Sequence, residues 1–160
     1  MKTTPFRLLS FAVISFIIVA GCAQSPDQLK KSLFDAVKSG QSSIVKECIA
    51  NNANLNDPET PGGWSVLHYA ARSGNDQIVK MLIDAGANPN YVGTAPGQSG
   101  TIMSLKPKVV AQASLHLAKT AQDNPLFHLD DPQHEKKLRD PAALAGYERV
   151  CKLLEAVTQD

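Results

Sequence analysis

The stretch from Leu33 to Asn56 recurs from Leu67 to Asn90 at a constant offset of 34 residues. Leu33 matches Leu67, Ala36 matches Ala70 and Gly40 matches Gly74. Ile44, Val45 and Lys46 match Ile78, Val79 and Lys80, and the Ala-Asn-x-Asn run from Ala53 to Asn56 matches that from Ala87 to Asn90. A fixed period of this size constrains the fold strongly. Each unit is one supersecondary element with apolar surface on both sides, so it gains a core only by stacking on its neighbours. Leu67, Ala70 and Ala71 give the apolar stripe of a short first helix. Gly74 breaks the chain, and Ile78, Val79, Leu82 and Ile83 stripe a second, antiparallel helix. Gly86 offers the left-handed conformation that ends it.

Gly63 to Gly74 reads Gly-Trp-Ser-Val-Leu-His-Tyr-Ala-Ala-Arg-Ser-Gly, and it resembles the Gly-x-Thr-Pro-Leu-His-x-Ala-Ala-x-x-Gly pattern of the ankyrin repeat. Ser65 stands for Thr and Val66 for Pro. The resemblance implies an all-α ankyrin-repeat solenoid of helix-turn-helix units with short hairpin-like loops. A further match runs from Ala142 to Leu154 against Ala70 to Leu82, at an offset of 72. This leaves two registrations. In the favoured one there are three clear repeats plus a degenerate stretch, over about 28–61, 62–94, 95–128 (degenerate) and 129–160. Its degenerate unit starts a first helix near Thr101 to Leu105 and a second over Val109 to Thr120. In the other, Ser114 to Ala118 opens a third repeat and 123–140 is an insertion. In both, Asp140 and Pro141 read as the cap and first position of a final helix.

The N-terminus carries a different signal. Lys2 and Arg7 precede an apolar run from Leu8 to Val19, and Val19-Ala20-Gly21-Cys22-Ala23 follows. Charge, short apolar core and small residues in that order are signal-peptide anatomy rather than a spanning helix. The pentapeptide resembles a bacterial lipobox, with Val19 where most carry Leu. The resemblance implies a signal peptide over 1–21, cleavage before Cys22, lipidation of Cys22 including palmitate-type acyl chains, and a tether over 22–27. Ala23 in the following position implies the outer membrane, facing the periplasm.

Removing residues 1–21 takes Lys2 and Arg7 from 16 basic residues and leaves 14 against 15 acidic ones. That balance excludes a basic footprint for nucleic acid. Cys48 and Cys151 fall on apolar helical positions of separate units, too far apart for the roughly 7 Å a disulfide tolerates, so two buried thiols are expected. His128, Asp130, Asp131, His134 and Glu135 group possible metal ligands, but their spacing matches no regular structural zinc site. The reading is no metal, no cofactor and no small-molecule substrate. No phosphate loop, serine elbow or Cys/His dyad stands at a recognisable spacing.

The ankyrin resemblance assigns structural roles to His68, Gly74 and Gly86. It places Glu59, Trp64, Tyr69, Arg72, Ser73 and Tyr91 on the concave surface that binds partners. Trp64 is either an interface anchor, as aromatic residues often are, or a residue that caps the stack or packs on a neighbouring hairpin. Gly93 to Gly100 reads as a flexible hairpin extension or a loop, and as a candidate adaptable binding element. The expected function is protein binding without chemistry by a monomeric envelope lipoprotein. It would serve as an immunity protein against a secreted effector or as a partner of a periplasmic enzyme. The alternatives are a metal-dependent envelope enzyme using residues 128–135 and a structural envelope lipoprotein.

Overall fold

The computed structural model describes residues 25–96, 102–124 and 132–158. Its elements are α1 (Pro26–Ser39), α2 (Ser42–Ala50), α3 (Val66–Ser73), α4 (Asp76–Asp84), β1 (Gly93–Pro96), β2 (Ile102–Leu105), α5 (Pro107–Asp123), α6 (Pro132–Leu138) and α7 (Pro141–Val157). The helical solenoid read from the period is what forms. α3 packs between α1 and α5, and α4 between α2 and α7.

Local chemistry sets the helix ends. Ser25 and Gln28 form a reciprocal cap, each side chain accepting from the other's backbone N–H at 3.3 Å, with Pro26 at the first helical position. Gly40 and Gly74 end α1 and α3 at φ +74° and +69°, where any side chain is strained. Asn75 caps α4 by accepting from Ile78 N at 3.1 Å.

The Ala-Asn-x-Asn repeat has a physical basis. Asn54 Oδ1 accepts from Asn56 N at 3.1 Å, and Asn88 Oδ1 accepts from Asn90 N at 2.9 Å. Asn56 then bridges to the next unit, accepting from Asn88 N at 2.7 Å and donating to Gly86 O at 3.4 Å. Each of these two loops is thus closed on itself, and the first is clipped to the second. Beneath the loops, Leu33, Val37, Val45, Val66, Ala70, Ile78, Val79 and Leu82 are fully buried in one core.

The third unit departs from the favoured partition. Ile102–Leu105 is not the start of a helix but strand β2, antiparallel to β1 with Gly93 opposite Leu105 and Thr94 opposite Ser104. Pro107 disfavours helix in the residue before it, and Lys106 is extended at φ −89°, ψ 156°. Pro107 then opens α5, whose buried Pro107, Val110 and Ala111 repeat the spacing of Leu67, Ala70 and Ala71. Ser114 to Ala118, the alternative helix start, lies inside α5. Nor does Gly146 separate two helices as Gly74 does. α7 runs through it without a break, and α7 packs on α5 as the second helix of the unit. The described residues therefore form three helix pairs, with α6 in the connection between α5 and α7. Asp140 does cap α7, accepting from Ala142 N at 2.9 Å, with Pro141 first in the helix.

α6 seals the connection. Leu138 is fully buried against Ala118, Ala121 and Tyr147, and Arg139 donates to Ala121 O at 2.8 Å near the end of α5. Tyr147 is also fully buried, yet its hydroxyl has no hydrogen-bond partner among the described residues. An unmet buried hydroxyl costs about 1 kcal/mol or more. Tyr147→Phe is therefore expected to stabilise the protein by about 1 kcal/mol in urea unfolding. A loss of stability would show that the hydroxyl is satisfied in solution.

Candidate binding face

The loop before α3 and the exposed side of α1 and α3 converge on one carboxylate. Glu59 accepts from the Lys38 ammonium and from the Tyr69 hydroxyl, while its own N–H donates to Trp64 O at 3.0 Å and closes the loop. The Lys38 hydrogen bond, then that of Tyr69, holds the Glu59 carboxyl below its usual range. Burial, reinforced by the Glu59 hydrogen bond, pushes the Tyr69 hydroxyl up to about 12. Tyr69 therefore stays protonated and donating at physiological pH. Lys38 also lies 4.6 Å from the Tyr69 ring centre, and Phe34 meets that ring edge-on at 5.8 Å.

Trp64 extends the cluster. It stacks on His68 at 5.7 Å, meets Tyr69 edge-on at 5.4 Å and carries Arg72 over its ring at 6.0 Å. Close approach of β1 covers its other side: a Cβ on Gly93 would lie 3.1 Å from both Trp64 Cα and Cδ1. Trp64 is therefore half-buried, held beneath the hairpin with one face toward the cluster. Its Nε1 is buried without a hydrogen-bond partner among the described residues. Tyr91 joins indirectly, edge-on to His68 at 5.9 Å.

The structure thus brings Glu59, Trp64, Tyr69 and Arg72 together and places Tyr91 behind them. Ser73 stands apart. Its hydroxyl donates to Ala70 O at 2.8 Å and accepts from Asn75 N at 3.3 Å, within the α3–α4 turn. Lys38 was not among the residues singled out from the sequence. Its signal was available, since it occupies the repeat position of Arg72, 34 residues earlier.

His68 lies under this face, fully buried. Its Nε2 meets Leu105 O at 2.9 Å, and its Nδ1 lies 2.9 Å from Ser65 Oγ and 3.3 Å from Ser65 N. Only an Nε2–H can donate to a carbonyl, so the ring is the neutral Nε2–H tautomer with Nδ1 accepting. Gly74 packs against the Tyr147 ring, while Gly86, at φ +91°, has open space where a Cβ would stand.

Cys48 and Cys151 are buried free thiols. Cys22, His128, Asp130, Asp131 and the His134 side chain lie outside the described residues. Glu135, from the same acidic segment, pairs with Arg139 at 3.1 Å.

The match to the family described as ankyrin repeats (three copies) covers residues 10–92, more than half of the chain. This protein belongs to the ankyrin-repeat family. Human ankyrin repeat and SAM domain-containing protein 3 is 38% identical over 58 residues, covering 36% of this chain and 9% of that protein. Human 2-5A-dependent ribonuclease is 35% identical over 57 residues, 36% of this chain and 8% of the relative. Ankyrin repeat, SAM and basic leucine zipper domain-containing protein 1 of Ornithorhynchus anatinus is 28% identical over 119 residues, 65% of this chain and 24% of the relative. The ankyrin array spans less than a quarter of each. What it has in common with them is the repeat, a scaffold for protein–protein interaction.

Proposed function

We propose that the chain is a membrane-tethered ankyrin-repeat lipoprotein of the bacterial cell envelope that binds a protein partner and carries out no chemistry of its own. The observation that carries the binding reading is the Lys38–Glu59–Tyr69 network beside Trp64 and Arg72. It is a partly exposed aromatic and charged patch whose side chains are fixed before any partner arrives, and such preorganisation lowers the ordering cost of association. The lipobox-like run ending at Cys22 supports lipid anchoring at the outer membrane. A small tethered binder suits immunity against a secreted effector or partnership with a periplasmic enzyme, because anchoring raises its local concentration at the membrane.

Affinity capture from the native envelope with the full chain tests the binding face. Tyr69→Ala and Arg72→Ala are each expected to weaken the captured partner about tenfold or more. Trp64→Ala is less informative, because that ring also supports the hairpin. A specific partner indifferent to both changes would sink the assignment. For the anchor, Cys22→Ser is expected to move the protein from the membrane fraction to the soluble fraction, with loss of the acyl mass from the mature N-terminus.

A second reading has its own observation. The family match starts at residue 10, inside the apolar run, and Ile14, Ile17, Ile18, Ala20 and Gly21 repeat the spacing of Val79, Leu82, Ile83, Ala85 and Gly86. In that reading the run would supply the closing helix of a preceding unit. The face it would cover is incomplete: Ile44 is half-buried where its equivalent Ile78 is fully buried, and polar Ser32 stands where Val66 does. Mass spectrometry of the mature chain separates the two. An intact Met1 with an unmodified Cys22 selects the second reading.

A further inference from the structure

We propose that the edge of the array formed by the start of α1, the β1–β2 hairpin and the first turn of α5 lies on the bilayer surface, as a second membrane contact beside the lipid. The proposal rests on the lipidation reading of Cys22.

Four observations place this edge. Cys22 and Ser25 are three residues apart, and three residues span at most about 10 Å. Ser25 is the fixed cap of α1, so the beginning of α1 cannot stand far from a lipid on Cys22. α1 and α3 are the equivalent first helices of stacked units and pack together, so the start of α1 stands on the same side of the array as the loop that enters α3. That loop is joined to the hairpin, since Thr94 N and Oγ1 both donate to Gly62 O, at 2.9 and 2.7 Å. The hairpin leads into α5, and His68 of α3 bonds to Leu105 just before it. These starts and loops make one continuous edge. The turns at Gly40 and Gly74 form the opposite one.

The surface chemistry of this edge suits lipid. Four large apolar side chains stand exposed among the described residues, and three are here: Val92 at 49%, Met103 at 47% and Val109 at 43%. Lys106 and Lys108 stand between them. Among the described residues Lys106 reaches Asn90 Oδ1, at 3.4 Å. α5 has no acidic residue in its first turn. Lysines near a helix N-terminus oppose the helix dipole, whereas apolar side chains flanked by lysines are the usual composition of a surface seated at an anionic interface. The acidic groups of the edge are Asp27, Asp57 and Glu59, and Lys38 neutralises the last. The acyl chains on Cys22 would supply the anchor, and the apolar edge would fix the orientation of the array on the bilayer.

The full lipidated chain, purified from membranes into vesicles of phosphatidylethanolamine and phosphatidylglycerol, provides the test. Trp64 is the only tryptophan, so a Trp64→Phe background allows a reporter to be moved. Met103→Trp reads the proposed edge. Ser43→Trp reads the opposite one, most of the length of α1 away, about 20 Å. Brominated acyl chains are expected to quench the Met103→Trp reporter at least about twofold and to leave Ser43→Trp nearly unchanged, because quenching needs contact with the acyl boundary. Circular dichroism like that of the wild type qualifies each reporter, and Val92→Trp replaces Met103→Trp if the latter does not fold. An unquenched edge reporter on a chain with lipid confirmed by mass overturns this proposal and leaves the tether standing. Absence of lipid on Cys22 overturns the tether and this proposal with it.

Discussion

Replacing Gly146 by alanine is expected to destabilise the protein by about 3 kcal/mol and to lower its thermal midpoint by about 10 °C. The sign is informative, because in an isolated helix the same change gains about 1 kcal/mol. Here a Cβ would stand 2.5 Å from the carbonyl oxygen of Gly74. That oxygen is backbone and cannot turn aside. Its residue is held at φ +69° by the end of α3, with its N–H bonded to Ala71 O. Relief would require α7 to withdraw from the α3–α4 turn, pulling the fully buried Tyr147 ring off Gly74. It would also lengthen the Arg149–Asp76 pair, now 2.7 Å, which holds Asp76 below its usual carboxylate range. Gly86→Ala is the control. Its Cβ meets nothing within 4 Å, so only the strain of its positive φ remains, about 1 kcal/mol. Thermal melts of the two variants followed by circular dichroism check the contrast. A raised midpoint for Gly146→Ala would show that α7 and the turn are not in contact.

The same glycine shows where the period stops being readable. Units one and two were legible because the offset of 34 carries both core positions and punctuation, from Leu33 and Leu67 to the Asn-x-Asn loops. At the C-terminus the Ala-Ala-x-x-Gly spacing persists while its meaning changes. In the second unit Gly74 adopts a left-handed turn. In α7, Gly146 is helical and serves only to let one backbone touch another. A one-dimensional pattern cannot distinguish a glycine needed for its φ from one needed for its missing Cβ, since both appear as the same letter. The second strand of the hairpin was hidden for a related reason: Ile102 to Leu105 suits either a helix or a strand, and Pro107, which disfavours helix just before it, also opens the helix after it.

The binding face was partly legible for a simpler reason. Trp64, Tyr69 and Arg72 stand at repeat positions whose equivalents set the exposed side of each first helix. Their connections were not, because the Glu59 network depends on Lys38 from the preceding unit. A contact between units is written in two places 21 residues apart in the chain. Ser73 was placed on the face by position alone, although a serine at a helix end often bonds to nearby backbone instead.

His68 is the residue on which pH acts most directly. His68→Ala is expected to cost about 3 kcal/mol, because it leaves a void and strands both the Leu105 carbonyl and the Ser65 N–H that the ring now joins. The wild-type ring should also make stability fall in mild acid. Burial holds the His68 pKa below the ordinary 6.5, partly opposed by its bond to Leu105 O. Above about pH 6.5 the ring is neutral folded and unfolded alike, and it contributes no slope. Below that, the unfolded chain takes up a proton that the folded ring resists, so stability declines as pH falls toward the lowered folded value. A protonated Nδ1 could no longer accept from Ser65. Glu59 and Asp76, both held low, lose their contributions only in the more acidic window below about pH 4.5. His68 is the only buried histidine among the described residues. Urea midpoints measured at about pH 7 and pH 5 should therefore separate for the wild type and draw together for His68→Gln. Equal separation in both proteins would place the titrating group elsewhere.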